Sequence, residues 1–201
     1  GVDYVIHSTT KFLSGSNDHG GGAVLVKNPE DALSLEYFQK SWGLTISPLE
    51  AEILRVRMQD FEERMERFNA NGTAIAHFLA THTAVDHVYH ASLSSHPSYS
   101  TAKKLLSGNG GVVSFTLKDD SEKGLKSFYD KDFSSILKAP TIGSNQTLIC
   151  PYPLLTHYFD TDAELEEIKL PRHLIRVAGG CETEIDTILA DLNHALKRTN
   201  Q

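Results

Sequence analysis

Apolar positions follow two different periods along the chain. Short apolar runs at Val2 to His7 and at Gly22 to Lys27 have the length of β-strands, and a polar, glycine-rich stretch separates them. Farther along, apolar residues recur at near-helical spacing at Leu49, Ile53, Val56, Met65, Phe68, Ile75 and Leu79. This pattern predicts one long amphipathic helix that runs to about His82, with Gly72 as the candidate break.

Two helix starts can be read from their capping residues. Asn28-Pro29-Glu30 places asparagine at the cap and proline at the first helical position. Ser47-Pro48-Leu49-Glu50 has the spacing of a capping box, in which the serine and glutamate side chains each bond a backbone amide of the other residue. We therefore expect helices to begin at both places.

The second half of the chain alternates predicted strands and helices. A helix at 100–106 leads into the turn cluster Gly108-Asn109-Gly110-Gly111, which is the best internal boundary and predicts domains 1–108 and 109–201. Beyond it, strands are predicted at 112–117, 133–137, 147–150 and 174–177, and helices at 121–129 and 184–197. This order predicts a small α/β unit with helices packed on a sheet.

Charge and composition exclude several classes of function. The chain has 26 acidic and 19 basic residues, a net charge of -7 and no basic block, so we predict no nucleic-acid partner. No apolar stretch approaches the roughly 20 residues that cross a bilayer, which predicts a cytoplasmic protein without a membrane partner. Cys150 and Cys181 lie far apart and indicate buried structural thiols rather than a disulfide framework or a zinc site.

The ten histidines give no metal-binding pattern. Val85 to Tyr89 alternates like a strand, which would place His87 and His90 on opposite faces, and His-Glu-x-x-His is absent. For His157 we expect ordinary hydrogen bonding. The sequence therefore predicts no metal site.

Lys11 follows the first predicted strand, directly after Ser8, Thr9 and Thr10. Hydroxyls can donate to a phosphate and a lysine amine can bond a carbonyl cofactor, and ligands bind by preference at strand ends of α/β sheets. A surface lysine with hydroxyls that cap a turn is the alternative, because such a short motif also arises by chance. Glycines 20–22 allow positive φ angles or a close backbone approach, or form a plain turn.

The longer pattern resembles a known family. The run from Val2 through Ser8-Thr9-Thr10-Lys11-Phe12-Leu13 to Gly20-Gly21-Gly22 is similar to the lysine segment of the Cys/Met-metabolism pyridoxal-phosphate enzymes, the cystathionine γ-synthase family. The resemblance continues at 64–72, 112–115, 147–151 and 174–180. It implies that Lys11 carries pyridoxal 5'-phosphate covalently and that Ser8 and Thr10 bind its phosphate. The implied fold is α/β, the C-terminal part of a fold-type I PLP-dependent transferase: the end of the large cofactor domain and a small C-terminal domain.

Arg176 lies in the apolar run Leu174-Ile175-Arg176-Val177, where a buried guanidinium needs an anionic partner. The resemblance implies that Arg176 clamps the substrate α-carboxylate, with the hydroxyl of Thr141 beside it; a structural salt bridge is the alternative. The family usually has serine before Leu-Gly-Gly, where this chain has Thr141-Ile142-Gly143-Ser144. That change resembles a divergent, fungal-type branch.

By resemblance, the expected reaction forms cystathionine from an O-acylhomoserine and cysteine by γ-replacement. A β- or γ-lyase acting on cystathionine or methionine remains open, and so does a catalytically inactive truncated subunit. A family subunit is about twice as long, so the resemblance implies a C-terminal portion that lacks half of the cofactor pocket. The implied partners are small amino-acid substrates and further copies in a tetramer built as a dimer of dimers.

Overall fold

The computed structural model describes residues 1–197. Residues 1–61 form one compact unit, and the residues from Glu62 onward form a second one. The boundary expected from the glycine cluster near residue 108 lies inside the second unit. As a division into functional domains, 1–108 and 109–201 stays a prediction.

The first unit is a β-hairpin followed by two helices. Strands β1 (Tyr4–Ser8) and β2 (Gly22–Val26) pair antiparallel, with Tyr4 opposite Val26 and Ser8 opposite Gly22. Helices α1 (Pro29–Ser41) and α2 (Pro48–Arg57) follow. Both predicted starts are confirmed, because the Asn28 side chain accepts a hydrogen bond of 3.0 Å from the Glu30 amide and the Ser47–Glu50 capping box is complete.

The predicted long helix is two helices. Helix α2 ends at Arg57, a turn occupies residues 58–60, and α3 spans Phe61–Thr81. The apolar side chains of α2 are at least partly exposed, whereas Phe68, Ile75 and Leu79 of α3 are fully buried. The apolar pattern reads as one continuous helix because a turn of only three residues hardly disturbs its period. It in fact covers two helices that differ in burial.

Gly72 is not the break, because α3 continues through it. A Cβ atom at this position would lie 2.3 Å from the Gly110 carbonyl oxygen and 2.8 Å from the Gly111 Cα. The glycine lets the helix approach the backbone of the turn at 108–111. A larger residue at position 72 would clash with that backbone.

The second unit contains a five-stranded sheet with the strand order β3-β4-β7-β6-β5. All neighbouring strands are antiparallel except β5 and β6. The strands are β3 (Val85–Tyr89), β4 (Val112–Leu117), β5 (Leu137–Lys138), β6 (Leu148–Pro151) and β7 (Ile175–Ala178). The helices besides α3 are α4 (Tyr99–Leu105), α5 (Glu122–Tyr129), α6 (Tyr152–Thr156), α7 (Asp162–Glu167) and α8 (Ile185–Lys197).

One face of this sheet forms the core with helices α3, α5 and α8. Buried apolar side chains from the three helices pack against alternate residues of the central strands, which include Val113 and Phe115 of β4 and Ile175 and Val177 of β7. Because strand residues alternate between faces, the intervening residues of β4 and β7 point to the other face. Arg176 is one of them.

The strand predicted at 133–137 is mostly irregular, and only Leu137 and Lys138 pair with β6. The residues before Leu137 bond a side chain of α8 instead of a neighbouring strand. The Asp191 carboxylate accepts 2.6 Å hydrogen bonds from the Ser134 hydroxyl and the Ser135 amide. Helices α6 and α7 were not predicted, although Thr161 and Glu164 form a capping box at the start of α7.

Within residues 1–197, no helix combines the length and the apolarity needed to cross a membrane.

Candidate functional site

Lys11 lies in a short π-helical turn, Thr9–Leu13, that begins where β1 ends. Its backbone angles, φ -86° and ψ -127°, depart from helical values and bend the chain at this residue. Two backbone hydrogen bonds close the turn, from the Ser14 amide to the Thr9 carbonyl (3.1 Å) and from the Gly15 amide to the Lys11 carbonyl (2.9 Å). The half-buried lysine is therefore held on a bonded turn at the strand end.

The hydroxyls of Ser8, directly before this turn, and Thr10, within it, have no hydrogen-bond partner among the described residues. Ser8 occupies the helix N-cap position, yet its side chain makes no capping bond, so the alternative role as a cap is not used. Between them, the Thr9 side chain is buried and 1% exposed. Two hydroxyl donors within three residues of a lysine are a donor set that fits a phosphorylated carbonyl cofactor such as pyridoxal phosphate.

The glycine stretch reaches the Lys11 turn through Gly21. The Thr9 amide donates a 3.0 Å hydrogen bond to the Gly21 carbonyl, and a Cβ at Gly21 would lie 2.8 Å from the Thr9 Oγ1. The expected close backbone approach is thus present at this residue. Positive φ angles occur elsewhere in the loop, at Gly15 (73°) and Asn17 (57°), and none of glycines 20–22 has one.

An ion pair that the sequence did not indicate fixes the outer part of the loop. The Arg57 guanidinium at the end of α2 contacts both carboxylate oxygens of Asp18, one of them at 2.9 Å. These hydrogen bonds lower the pKa of the Asp18 carboxyl below its ordinary value. No local signal could have found the pair, because the two residues are 39 positions apart.

Arg176 lies at the centre of the five-stranded sheet, on the face opposite the core. In register, Ser114 of β4 lies on one side of it and Cys150 of β6 on the other. Its chain neighbours Ile175 and Val177 are both fully buried in the core. The sheet therefore holds the arginine backbone rigidly on both sides.

The guanidinium of Arg176 is incompletely paired. One terminal nitrogen donates a 3.3 Å hydrogen bond to the Thr141 carbonyl oxygen, and the guanidinium carbon lies 4.6 Å from the centre of the Tyr152 ring. The Nε atom is buried and has no partner, and no carboxylate within the described residues pairs with this side chain. The alternative of a structural salt bridge finds no partner there.

Thr141 lies beside Arg176, and its backbone carbonyl accepts the hydrogen bond from the guanidinium; a substrate-binding role of its hydroxyl stays a prediction. Cys150 and Tyr152 complete the surroundings, and the sequence reasoning assigned neither to the site. Burial raises the pKa of the Cys150 thiol, and the neighbouring Arg176 acts in the opposite direction. The thiol is thus a neutral neighbour of the guanidinium.

The remaining candidates have structural contacts. His157 Nδ1 lies 2.8 Å from Asp160 Oδ2, the hydrogen-bonding role predicted for it. His90, just beyond β3, lies with one ring nitrogen 2.7 Å from the Ser92 hydroxyl and the other 3.2 Å from the Gly110 carbonyl. Neither cysteine forms a disulfide within the described residues; Cys150 is buried and Cys181 partly exposed. Within residues 1–197, no group of three His, Cys, Asp or Glu residues is placed to hold a metal ion.

Known proteins match almost the whole chain. The family model described as Cys/Met metabolism PLP-dependent enzyme matches residues 1–197. The cystathionine beta-lyase of Lactococcus lactis subsp. cremoris (strain MG1363) is 35% identical over 98% of this chain and 51% of its own length. The L-methionine gamma-lyase of Fusobacterium nucleatum subsp. nucleatum is 33% identical over 98% of this chain and 50% of its own length.

A solved structure matches the fold equally well. The cystathionine gamma synthase of Xanthomonas oryzae pv. oryzae, in complex with cystathionine, superposes with a TM-score of 0.92 at 30% identity and covers 100% of this chain and 51% of that one. The chain thus spans about half the length of these relatives. The expected α/β fold is confirmed, and the chain belongs to the Cys/Met metabolism family of PLP-dependent enzymes.

Proposed function

We propose that this chain supplies the cofactor-bearing lysine and the substrate-carboxylate site of a transsulfuration enzyme. The observation that carries the proposal is the Arg176 guanidinium, which is partly buried and has no carboxylate partner among the described residues. An unpaired buried cation is costly, and a planar guanidinium matches a carboxylate in two-pronged geometry. An α-carboxylate of a bound amino acid supplies the missing anion.

The other residues take roles that follow from their chemistry. The amine of Lys11 holds the cofactor covalently and moves protons at the substrate Cα and Cβ, while the hydroxyls of Ser8 and Thr10 donate to the cofactor phosphate. Pyridoxal phosphate, when bound, supplies the electron sink that this chemistry needs. Arg176, with Thr141 beside it, holds the substrate carboxylate in one orientation.

Within the family we propose γ-replacement: an O-acylhomoserine and cysteine give cystathionine and a free carboxylic acid. The Cγ–O bond breaks, a Cγ–S bond forms, and the thiol proton leaves with the carboxylate product. The similarity to the cystathionine gamma synthase from Xanthomonas oryzae supports this reaction. The similarity to a cystathionine beta-lyase and an L-methionine gamma-lyase supports the second candidate, carbon–sulfur bond cleavage.

A product assay on the natural protein separates the two. With O-acetylhomoserine and cysteine, the synthase proposal expects cystathionine as the main product. With cystathionine alone, a β-lyase releases pyruvate and a γ-lyase releases 2-oxobutyrate. Faster release of either oxo acid from cystathionine than formation of cystathionine would assign a lyase. The Lys11→Ala variant should abolish all three reactions, while Lys27→Ala, at an exposed position of the same unit, should not.

The role of Arg176 is tested by Arg176→Lys, which keeps the charge and removes the two-pronged contact. We expect kcat/KM for the amino-acid substrate to fall roughly ten- to a hundredfold, since a charge-assisted hydrogen bond contributes about 1.5–3 kcal/mol, with unchanged cofactor affinity. Arg172→Lys is the matched control, because Arg172 bonds Asp162 at 2.8 Å and the Asp160 carbonyl at 2.7 Å. Loss of cofactor binding with unchanged substrate kinetics would assign Arg176 to a structural role.

A further inference from the structure

Hydrogen bonds alone do not fix the plane of the Arg176 guanidinium. A guanidinium has five N–H donors, yet the recorded partners are one carbonyl oxygen, that of Thr141 at 3.3 Å, and the thiol of Cys150, a weak acceptor. Two-pronged binding of a carboxylate requires both oxygens to lie in that plane. Some other contact must therefore hold the group in orientation before a substrate arrives.

We propose that Tyr152 is a positioning residue for Arg176, and that its aromatic face is the platform that sets the guanidinium plane. The proposal rests on the proposed role of Arg176 as the carboxylate clamp. The guanidinium carbon lies over the ring, 4.6 Å from its centre, within the range of a cation–π contact. A guanidinium that lies flat against an aromatic face keeps its N–H edge open, and that edge binds a carboxylate.

The backbone of Tyr152 is tied to the strand that carries the arginine. The Tyr152 amide donates a 3.2 Å hydrogen bond to the Leu174 carbonyl, two residues before Arg176. Proline precedes and follows it, at 151 and 153, so the backbone around the tyrosine has little freedom. The ring and the guanidinium are thus carried by adjacent, bonded segments.

A second side chain also contacts the ring of Tyr152. His157 packs edge-on against it with the ring centres 6.0 Å apart, and the Asp160 carboxylate lies 2.8 Å from His157 Nδ1. The Thr156 hydroxyl donates a 2.9 Å hydrogen bond to the Tyr152 carbonyl. Helix α6 and the residues that follow therefore form a rigid support for the aromatic platform, which gives this short helix a function in the site.

The test compares Tyr152→Met and Tyr152→Leu, which keep apolar volume without an aromatic face, with Tyr152→Phe, which keeps the face. The two readouts in the natural protein are KM and kcat for O-acetylhomoserine or cystathionine, whichever is turned over, and the Kd of butyrate by calorimetry. Butyrate has the carboxylate but no amino group, so its binding reports on the clamp alone. Thermal unfolding checks that each variant folds, and Tyr152→Met serves if Tyr152→Leu does not.

We expect Tyr152→Met and Tyr152→Leu to raise both KM and the butyrate Kd about 3- to 30-fold, the range of a cation–π contact, with little change in kcat. Tyr152→Phe should recover most of the loss. On an Arg176→Gln background, loss of the ring should add almost nothing, because the platform then has no cation to orient. A fall in kcat at constant KM, additive effects with Arg176→Gln, or no recovery by Tyr152→Phe would each overturn the inference.

The same variants separate this inference from the proposed function. If Arg176→Gln leaves KM and the butyrate Kd unchanged, the clamp itself is wrong. If Arg176→Gln raises both while loss of the Tyr152 ring changes neither, the clamp stands and the platform is wrong.

Discussion

Gly21 shows at the residue scale how the loop after Lys11 depends on one missing side chain. The Thr9 hydroxyl occupies the space where a Cβ at Gly21 would lie, and the Thr9 amide bonds the Gly21 carbonyl. Thr9 is β-branched and buried, so it cannot easily turn away. The turn that presents Lys11 and the glycine segment are therefore packed as one unit.

We expect Gly21→Ala to displace this turn and to weaken cofactor binding about tenfold, because overpacking a tight contact costs about 1–3 kcal/mol. Gly20→Ala is the matched control, since a Cβ at Gly20 would meet nothing within 4 Å and its φ is not positive. Cofactor affinity measured by absorbance titration of the natural protein checks both variants. Equal affinity for the two would mean that the contact between Gly21 and Thr9 is unimportant for the Lys11 turn.

At the scale of elements, His90 joins the end of β3 to the turn that packs on α3. Its two ring nitrogens are satisfied by the neutral form, in which Nε2–H donates to the Gly110 carbonyl and Nδ1 accepts from the Ser92 hydroxyl. The histidine is 3% exposed, and burial lowers its pKa below the ordinary value. Protonation of the ring removes the Nδ1 acceptor for the Ser92 hydroxyl and places a charge in a buried position. It therefore weakens the link between β3 and the turn.

This direction of shift sets a pH dependence for folding. The folded state binds a proton at His90 less readily than the unfolded chain does. The contribution of neutral His90 to the free energy of unfolding is therefore complete above the unfolded pKa of about 6.5, and it is lost as the pH falls from there through the lower pKa of the folded state. We expect the free energy of unfolding, from denaturant titrations, to decrease between pH 7.5 and 5.5. His90→Gln should reduce that decrease, whereas His87→Gln, at an exposed position of β3, should keep it. If the free energy of unfolding depends on pH equally in both variants, His90 does not contribute to the pH dependence.

At the scale of the whole molecule, the two compact units differ in how they bury apolar surface. The buried apolar side chains of the described residues all lie from Phe68 onward, in the second unit. In the first unit, sixteen large apolar side chains are exposed, against eight in residues 62–197. Some of these side chains belong to the two strands of the hairpin. Several of them line an apolar groove of about 600 Å³ between β2 and α1. Such surface is unstable in water unless another chain segment or subunit covers it.

The 201-residue chain expressed by itself should therefore self-associate and bind the dye ANS. It should also be a poor enzyme, since Lys11, the proposed cofactor lysine, lies in the unit without a buried apolar core. Residues 62–201 are the matched control, because that part has its own core and should bind much less dye. Sedimentation and ANS fluorescence of both polypeptides at equal concentration measure the difference. A monomeric, dye-free 201-residue chain with full turnover would contradict this prediction and show that the exposed faces need no cover.

Local chemistry was sufficient for much of the fold. The capping residues Asn28 and Ser47 fixed two helix starts, and the apolar run at 112–117 gave β4 at its observed bounds, because these signals act within a few residues. The motif around Lys11 pointed to the family in the same way. Even the missed start of α7 had its signal in the sequence, the capping box at Thr161 and Glu164.

Contacts between distant segments decided the rest. The sequence alone determined the family, the order of most elements and the candidate residues Ser8, Thr10, Lys11 and Arg176. Tertiary structure decided that Ser134 and Ser135 would bond the Asp191 carboxylate of α8 instead of pairing as a strand. It also decided that Arg57 would bind Asp18, and that Cys150 and Tyr152 would lie next to Arg176. The physical reason is that sheet register and side-chain pairing join residues tens of positions apart, and no pattern within a short window encodes which of them meet.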